Sequence, residues 1–308
     1  MEIYLPIAEQ SINVFLLLGL GGVAGLLAGM FGVGGGFLAT PLLIFVGIPP
    51  AVAVASQANQ VIANSVSSLQ VQWRRGNVDL RMGLVLLLGG IFGSSVGVTL
   101  FTYLKRIGQI DFVIAVLYVV MLSAIGGLMS VESLRTYFRN KRHPETPRGK
   151  LHQHYMVHRL PWKMRFYKSK LYISALLPIG LGFVIGILSA ILGVGGGFVL
   201  VPAMIYLLGM PTAVVIGTSN FQVLFVAANV TFLQSATNGT VDVVLALLLI
   251  LGGVVGAPIG ARIAAKMPGV ALRGLMAVLI LGVAAQLLVE LLRAPYSPYS
   301  LGLREVLK

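Results

Sequence analysis

Apolar residues fall in ten runs along the chain, and polar or charged residues lie mostly between those runs. Eight runs hold 20 to 24 residues, close to the roughly 20 residues that an α-helix needs to cross the hydrocarbon core of a bilayer. The other two are 12 residues long and would rise only about 18 Å as helices. The pattern predicts an all-α polytopic membrane protein with helical segments at 12–31, 36–47, 51–72, 82–104, 110–130, 172–192, 197–208, 212–235, 243–265 and 271–292.

The ten segments form two repeats of five. The string Gly32-Val33-Gly34-Gly35-Gly36-Phe37 recurs 161 positions later as Gly193-Val194-Gly195-Gly196-Gly197-Phe198, and each string precedes a short segment. Gln60 recurs as Gln222, at an offset of 162. Such self-similarity indicates an internal duplication. It predicts a first transmembrane repeat at 1–130, a loop at 131–170 and a second transmembrane repeat at 171–308.

Positive charge is concentrated in the 131–170 loop. This loop holds eleven Lys and Arg residues against Glu132 and Glu145, which is nine of the thirteen net positive charges. Because Lys and Arg are retained on the cytoplasmic side of membranes, the loop is predicted to be cytoplasmic, and this topology signal argues against nucleic-acid binding. The aromatic residues Trp162, Phe166 and Tyr167 among these bases predict contact with anionic lipid headgroups.

The charges of equivalent loops indicate that the repeats are inverted. The loop at 74–81 carries three arginines, whereas its counterpart at 236–242 has no basic residue and ends in Asp242. Equivalent loops on opposite sides are expected when each repeat crosses the membrane an odd number of times. This arrangement places both termini outside the cell. It also places Lys105 and Arg106 outside, against the usual charge rule.

Composition excludes several classes of protein. Only 10% of residues are charged, 57% are hydrophobic and the mean hydropathy is +0.94, so a soluble fold is excluded and a multi-pass protein of the cell membrane is expected. Glu2 and Glu9 precede the first segment without a basic region, which predicts that this segment is retained and not cleaved. The chain has no cysteine, which excludes disulfides and thiolate metal sites.

An enzyme is not expected, because no acid–base pair or metal-ligand helix occurs within the apolar segments. All nine carboxylates lie outside the middle of these segments. His152 and His154 offer a metal-binding alternative, but they lie in the basic loop without cysteine or clustered carboxylates, and no metal or cofactor is predicted.

Glycine has two distinct patterns in this chain. Glycines four residues apart lie on one helix face and predict close helix–helix packing; these are Gly21, Gly25, Gly29, Gly89, Gly93, Gly97, Gly252, Gly256 and Gly260. The two strings fit no such row, because each has four glycines in five residues. They predict a helix break, since each glycine costs roughly 1 kcal/mol relative to alanine inside a helix.

A helix that starts after each break would point its N–H groups and positive dipole end at a ligand, which favours an anion. A tight turn between antiparallel helices is the alternative explanation of the two strings. A nucleotide P-loop is excluded because no Gly-Lys-Ser/Thr follows either string.

Polar side chains follow both breaks at matching places in the third segment of each repeat. Buried amides and hydroxyls in a bilayer face protein or a cavity. For Asn64, Ser67 and Asn229, bonding between helices explains the residues equally well. The predicted anion site comprises Gly32, Gly34, Gly35, Gly36, Phe37, Ser56, Gln57, Asn59, Gln60, Gly193, Gly195, Gly196, Gly197, Phe198, Thr218, Ser219, Asn220 and Gln222.

The paired glycine strings, the following Gly-x-Pro and the polar start of the third segment resemble the TauE/SafE sulfite exporter family. The resemblance covers both repeats and implies a permease for a small sulfur-containing anion, such as sulfite, sulfoacetate or another organosulfonate. The threonine–serine pair of the family falls on Thr218 and Ser219, whereas the first repeat departs from it with Ser56 and Gln57. This departure leaves open which anion is carried.

The resemblance and the chemistry of the breaks lead to one expectation. An anion would be held between the two breaks and would cross the membrane by alternating access. The alternative is a membrane scaffold that binds partners through the basic loop without transporting anything. The direction of transport, coupling to H⁺ or Na⁺, and assembly into a homo-oligomer are left open by the residues.

Overall fold

The structure is a computed structural model that describes residues 2–31, 36–142, 162–169, 171–267 and 269–292. The first repeat contains five helices, α1 (Val14–Phe31), α2 (Gly36–Phe45), α3 (Pro50–Arg74), α4 (Leu80–Arg106) and α5 (Ile110–Arg142). The second contains α6 (Leu176–Leu192), α7 (Gly197–Tyr206), α8 (Thr212–Leu233), α9 (Val243–Lys266) and α10 (Gly269–Leu292). A short π-helical turn, Gln234–Asn238, continues α8.

The predicted polytopic helical fold is confirmed. Among the described residues, five helices are long and apolar enough to cross a membrane. Helices α2 and α7, which follow the glycine strings, have 10 residues each and therefore rise only about 15 Å. Most helix ends lie within a few residues of the predicted ends. Helix α5 instead continues to Arg142, so the first part of the predicted loop is helical.

Two β-hairpins precede the two repeats and were not predicted. Strand β1 (Glu2–Leu5) pairs with β2 (Gln10–Asn13), and β3 (Lys163–Phe166) pairs with β4 (Leu171–Ser174), both antiparallel. Glu2 and Lys163 are 161 positions apart, the same offset as the glycine strings. The duplicated unit therefore includes a hairpin, and the second unit begins inside the 131–170 segment.

The fourth helix of each repeat packs on the first helix of the other repeat. Gly21, Gly25 and Gly29 of α1 face Leu249, Gly253 and Ala257 of α9, in parallel register. Gly89, Gly93 and Gly97 of α4 face Ile179, Phe183 and Ile187 of α6 in the same way. A Cβ at Gly29 or Gly93 would collide with the facing backbone. The predicted packing role of these glycine rows is confirmed.

This exchange of helices defines two bundles. The first bundle consists of β1, β2, α1, α2, α3 and α9, and one buried cluster joins Leu5, Leu17, Leu43, Val52 and Leu249 from its elements. The second bundle consists of β3, β4, α4, α6, α7 and α8, and its buried cluster joins residues of all six elements, including Phe166, Ile173, Leu86, Ile185, Leu200 and Val215. Helices α5 and α10 pack against each other, with Gly126 beside Leu281.

Helices α3 and α8, which are repeat equivalents, run in opposite directions where they meet. Val61 and Val223 both lie beside Gly195. Ser68, seven residues after Val61 on α3, accepts a hydrogen bond from the Nδ2 of Asn220. Asn220 lies three residues before Val223 on α8. This antiparallel crossing favours the inverted arrangement indicated by the loop charges, and the orientation relative to a bilayer stays a prediction.

Candidate functional site

The second glycine string forms a break between α6 and α7. Gly193 ends α6 in the left-handed conformation, with φ +67°, and Gly195 and Gly196 follow at φ +68° and +73°. Glycine is required at these positions because other residues are strained there. The first hydrogen bonds of α7 run from the N–H groups of Val199 and Leu200 to the Gly196 carbonyl. The N–H groups of Gly197 and Phe198 precede them and therefore lie at the open start of the helix.

The starts of the two short helices, α2 and α7, meet inside the protein. The rings of Phe37 and Phe198, which are repeat equivalents, stack with centroids 5.4 Å apart and planes 21° apart. A Cβ at Gly36 would lie 3.2 Å from the Cα of Val194. Gly36, Phe37 and every residue from 193 to 198 are buried. Gly32, Gly34 and Gly35 of the predicted site lie outside the described residues.

Helix α3 packs directly on the second break. A Cβ at Gly193 would collide with the carbonyl oxygen of Val54. A Cβ at Gly195 would lie 2.5 Å from Val61 Cγ1 and 2.8 Å from Val223 Cγ1. Glycine therefore serves two purposes here, the left-handed backbone and the close approach of a neighbouring helix.

Gln57 is a polar residue of α3 that lies between Val54 and Val61, the two residues of this helix that meet the break. Its spacing from Val54 and Val61, three and four residues, places all three side chains on one helix face. The side chain of Gln57 is 0% exposed, and neither its Nε2 nor its Oε1 has a hydrogen-bond partner in the part of the chain that the structure describes. A buried amide normally has partners, so Gln57 is a candidate ligand-binding side chain.

Other predicted site residues lie on a different face of their helices and contact the exchanged helices. Gln60 donates from Nε2 to the carbonyl of Gly21, 3.0 Å away, and lies against Gly253 of α9. Its equivalent Gln222 lies against Gly90 of α4. Ser56 Oγ accepts from the Asp242 N–H before α9 at 2.9 Å, and Thr218 Oγ1 accepts from the Asp79 N–H before α4 at 3.1 Å. Ser56 and Thr218 therefore link helices of opposite repeats, whereas Gln60 bonds to α1 of its own repeat, and neither amide atom of Gln222 has a hydrogen-bond partner among the described residues.

The remaining predicted site residues bond mainly within their own helices. Asn59 donates from Nδ2 to the Ser56 carbonyl, and Ser219 donates to the Ile216 carbonyl. Asn220 donates to both Ile216 and Ser68. Among the residues considered as bonds between helices, Asn229 donates to Ser94 Oγ of α4 at 2.9 Å. Asn229 therefore connects α8 to α4.

Tyr118 of α5 is a contact of the break that the sequence did not reveal. Its side chain is fully buried, its hydroxyl donates to the Leu192 carbonyl at the end of α6, and it also hydrogen-bonds Thr40 of α2. The three residues thus tie the short helix of the first repeat to the break of the second. No repeated polar residue marks this position, since the residue 163 positions after Tyr118 is Leu281.

The described part of the basic 131–170 segment has both exposed and buried aromatic side chains. Trp162 and Tyr167 are exposed, and the Arg81 guanidinium lies 5.1 Å from the centroid of the Tyr167 ring. Phe166 is instead buried in the second bundle, whereas contact of the basic segment with lipid headgroups stays a prediction. Alternation along strand β3 turns this side chain inward. The four histidines lie outside the described residues.

Comparison with known proteins found relatives that are all named as probable membrane transporter proteins. The chain is 28% identical to "Probable membrane transporter protein YjnA" of Bacillus subtilis (strain 168), over 88% of this chain and 97% of the relative. It is 30% identical to "Probable membrane transporter protein" of Xylella fastidiosa (strain 9a5c), over 82% and 86% of the two chains. No solved structure matches this chain significantly.

A family profile described as "Sulfite exporter TauE/SafE" matches residues 17–287. This match covers both repeats and both glycine strings. Together with the apolar spans and the named relatives, it identifies a multi-pass membrane transporter. The chain belongs to the TauE/SafE sulfite exporter family.

Proposed function

We propose that this transporter moves a small sulfur-containing anion, such as sulfite, sulfoacetate or another organosulfonate, across the cytoplasmic membrane by alternating access. The anion would be held where the two glycine breaks meet, at the start of α7 and beside Gln57. The observation that carries the proposal is the buried amide of Gln57, which has no partner among the described residues and lies on the face of α3 that contacts the second break.

The chemistry of this place suits an oxyanion. The N–H groups of Gly197 and Phe198 and the Nε2 group of Gln57 are neutral hydrogen-bond donors, and the positive end of the α7 dipole adds to them. Such donors bind more strongly in a buried, low-dielectric site than in water. The buried polar residues of the described chain include no Lys or Arg. A neutral site binds an anion without the tight ion pair that would slow its release.

The two bundles supply a route for alternating access. One buried cluster belongs mainly to each bundle, and a third buried cluster, which includes Phe37, Val194 and Phe198, joins helices of both bundles with α5 and α10. Rocking of one bundle against the other would open the breaks to one side of the membrane at a time. The stacked Phe37 and Phe198 rings lie at this meeting point and would separate or slide during the movement.

The test is flux in proteoliposomes that contain the purified protein. Sulfite, thiosulfate, sulfoacetate and taurine are compared, each with and without an imposed H⁺ or Na⁺ gradient. We expect saturable uptake of at least one sulfur oxyanion, competed by the unlabelled anion, and its gradient dependence identifies the coupling. Taurine, whose amine makes it a zwitterion, serves as the low-charge comparison. If folded protein moves none of the anions, the proposed substrate class is wrong.

A further inference from the structure

Asp79 is a buried carboxylate that joins three parts of the second bundle. It precedes α4 and caps it, since Oδ1 accepts from the Met82 N–H at 3.2 Å. Its Oδ2 accepts from both the N–H and the hydroxyl of Ser169, in the turn between β3 and β4, at 3.0 and 2.7 Å. Its own N–H donates to Thr218 of α8. Only 3% of the residue is exposed.

Asp242 repeats this arrangement in the first bundle. Its Oδ1 accepts from the Leu245 N–H at the start of α9, at 3.1 Å. Its Oδ2 accepts from the N–H of Ile7, in the turn between β1 and β2, at 3.0 Å. Its own N–H donates to Ser56 of α3. The residue is 1% exposed and lies 163 positions after Asp79.

In both places the aspartate and the hairpin come from opposite repeats. Asp79 precedes the fourth helix of the first repeat and holds the hairpin of the second, whereas Asp242 holds the hairpin of the first. Capping a helix requires only one carboxylate oxygen. The second oxygen therefore has a separate use, and its hydrogen bonds to the hairpin turn are of the strong, charge-assisted kind.

We propose that Asp79 and Asp242 are positioning residues of the transport cycle, each of which latches one β-hairpin closed across one end of the transport route. The proposal rests on the proposed alternating-access function. The β3–β4 hairpin closes the end of the second bundle, and the β1–β2 hairpin closes the end of the first. Release of one latch opens one end while the other stays closed.

The absence of cysteine allows a direct test with single cysteine reporters. Ala53 and Val215 are repeat equivalents, 162 positions apart, and both are 0% exposed. Ala53 shares a buried cluster with Leu5 and Ile12 of the first hairpin, and Val215 shares one with Phe166 and Ile173 of the second. Labelling rates of Ala53→Cys and Val215→Cys are measured in nanodiscs with a small water-soluble methanethiosulfonate reagent.

The latch variants are Asp79→Asn and Asp242→Asn. Asparagine caps helices about as well as aspartate, but it lacks the charge that holds the hairpin turn. We expect Asp79→Asn to raise the labelling of Val215→Cys about tenfold, the effect of losing a hydrogen bond to a charged group, and to leave Ala53→Cys unchanged. Asp242→Asn should do the reverse. Asp111→Asn is the matched control, because that aspartate starts α5 and its carboxylate bonds the Ala51 backbone.

If the hairpins are latched separately, each aspartate variant raises labelling at only one reporter, whereas a general loss of stability would raise labelling at both. Equal increases at both reporters, or no increase at either, would overturn the proposal. If Asp79→Asn does not fold, Ser169→Ala removes only the hydroxyl bond to Asp79 and should still raise labelling of Val215→Cys alone. The labelling needs no substrate, so its result is independent of which anion the flux measurements identify.

Discussion

Burying an amide without hydrogen-bond partners costs about 1–3 kcal/mol, and both amide atoms of Gln57 are buried without a partner among the residues that the structure describes. Packing cannot explain the choice of glutamine here, because leucine has a similar size and no polar group to satisfy. The cost is understandable if the amide has a partner during part of the transport cycle. Function and stability should therefore respond in opposite directions when Gln57 is changed.

We predict that Gln57→Leu raises the thermal unfolding midpoint in detergent and abolishes saturable anion flux. Leucine removes the unsatisfied amide and the donor to the anion at once. Gln60→Leu is the control, since Gln60 donates to the Gly21 carbonyl, and its loss should lower the midpoint. A lower midpoint for Gln57→Leu, or normal flux, would show that the amide serves packing alone.

The glycines of the break permit a second test at single residues. Gly193 and Gly209 have nearly the same backbone angle, φ +67° and +72°. A Cβ at Gly193 would collide with the Val54 carbonyl of α3, whereas a Cβ at Gly209 meets nothing within 4 Å. Alanine at either position bears the left-handed strain of about 1–2 kcal/mol, and only Gly193 adds the collision.

Gly193→Ala is therefore expected to eliminate flux. It should also destabilise the protein by about 1–3 kcal/mol beyond the shared backbone strain, while Gly209→Ala keeps most of its flux. Initial uptake rates and unfolding midpoints of the two variants, each normalised to the amount of folded protein, provide the comparison. Similar losses in both variants would mean that backbone strain alone decides the outcome.

At the scale of elements, hydropathy predicted all ten helices because each contains a mainly apolar run. The hairpins were missed because strands of four residues, such as β1, carry too few alternations to stand out. The end of α5 was missed because the helix continues beyond the apolar run into charged residues up to Arg142. Hydropathy identifies the apolar part of a helix, and it does not show how far the helix continues into polar residues.

The glycine rows lead to a prediction about helix packing. Gly93 of α4 packs against the Phe183 backbone, so Gly93→Ala should destabilise the protein by about 1–3 kcal/mol through overpacking. Gly180 of α6 has nothing within 4 Å of an added Cβ, so Gly180→Ala should be neutral or stabilising by up to about 1 kcal/mol. The fraction that stays monodisperse after a heating series measures both. Equal effects would argue against close packing of α4 on α6.

At the scale of the whole molecule, the sequence showed the duplication but not the exchange of helices. Gln60 and Gln222 were matched as equivalents, and they lie against equivalent glycines of α9 and α4. Which side chains of α3 and α8 face the breaks depends on where α9 and α4 pack. The offset between the repeats does not show where these helices pack. For this reason Ser56 and Thr218 were predicted as site residues, and the structure shows each bonded to an aspartate of the opposite repeat.

The exchange also changes how the basic segment should be tested. Removing all of 131–170 would delete β3 and Ser169, which hold Asp79, and would damage the second bundle. We predict that deletion of 143–161 alone, with a short flexible linker in its place, preserves anion flux. Loss of flux from a folded protein with this smaller deletion would contradict the prediction and show that residues 143–161 are needed for transport.

The central claim is that a sulfur oxyanion binds where the two glycine breaks meet. Selenite is a heavy analogue of sulfite, and a chain without cysteine has no thiol to reduce it. The most direct measurement is anomalous X-ray diffraction from crystals soaked in selenite, after selenite has been shown to compete for flux. The account predicts a selenium peak placed so that the oxygens of the anion lie within hydrogen-bond distance of Gln57 Nε2 and the Gly197 or Phe198 N–H. Selenium bound only at surface lysines and arginines would contradict it.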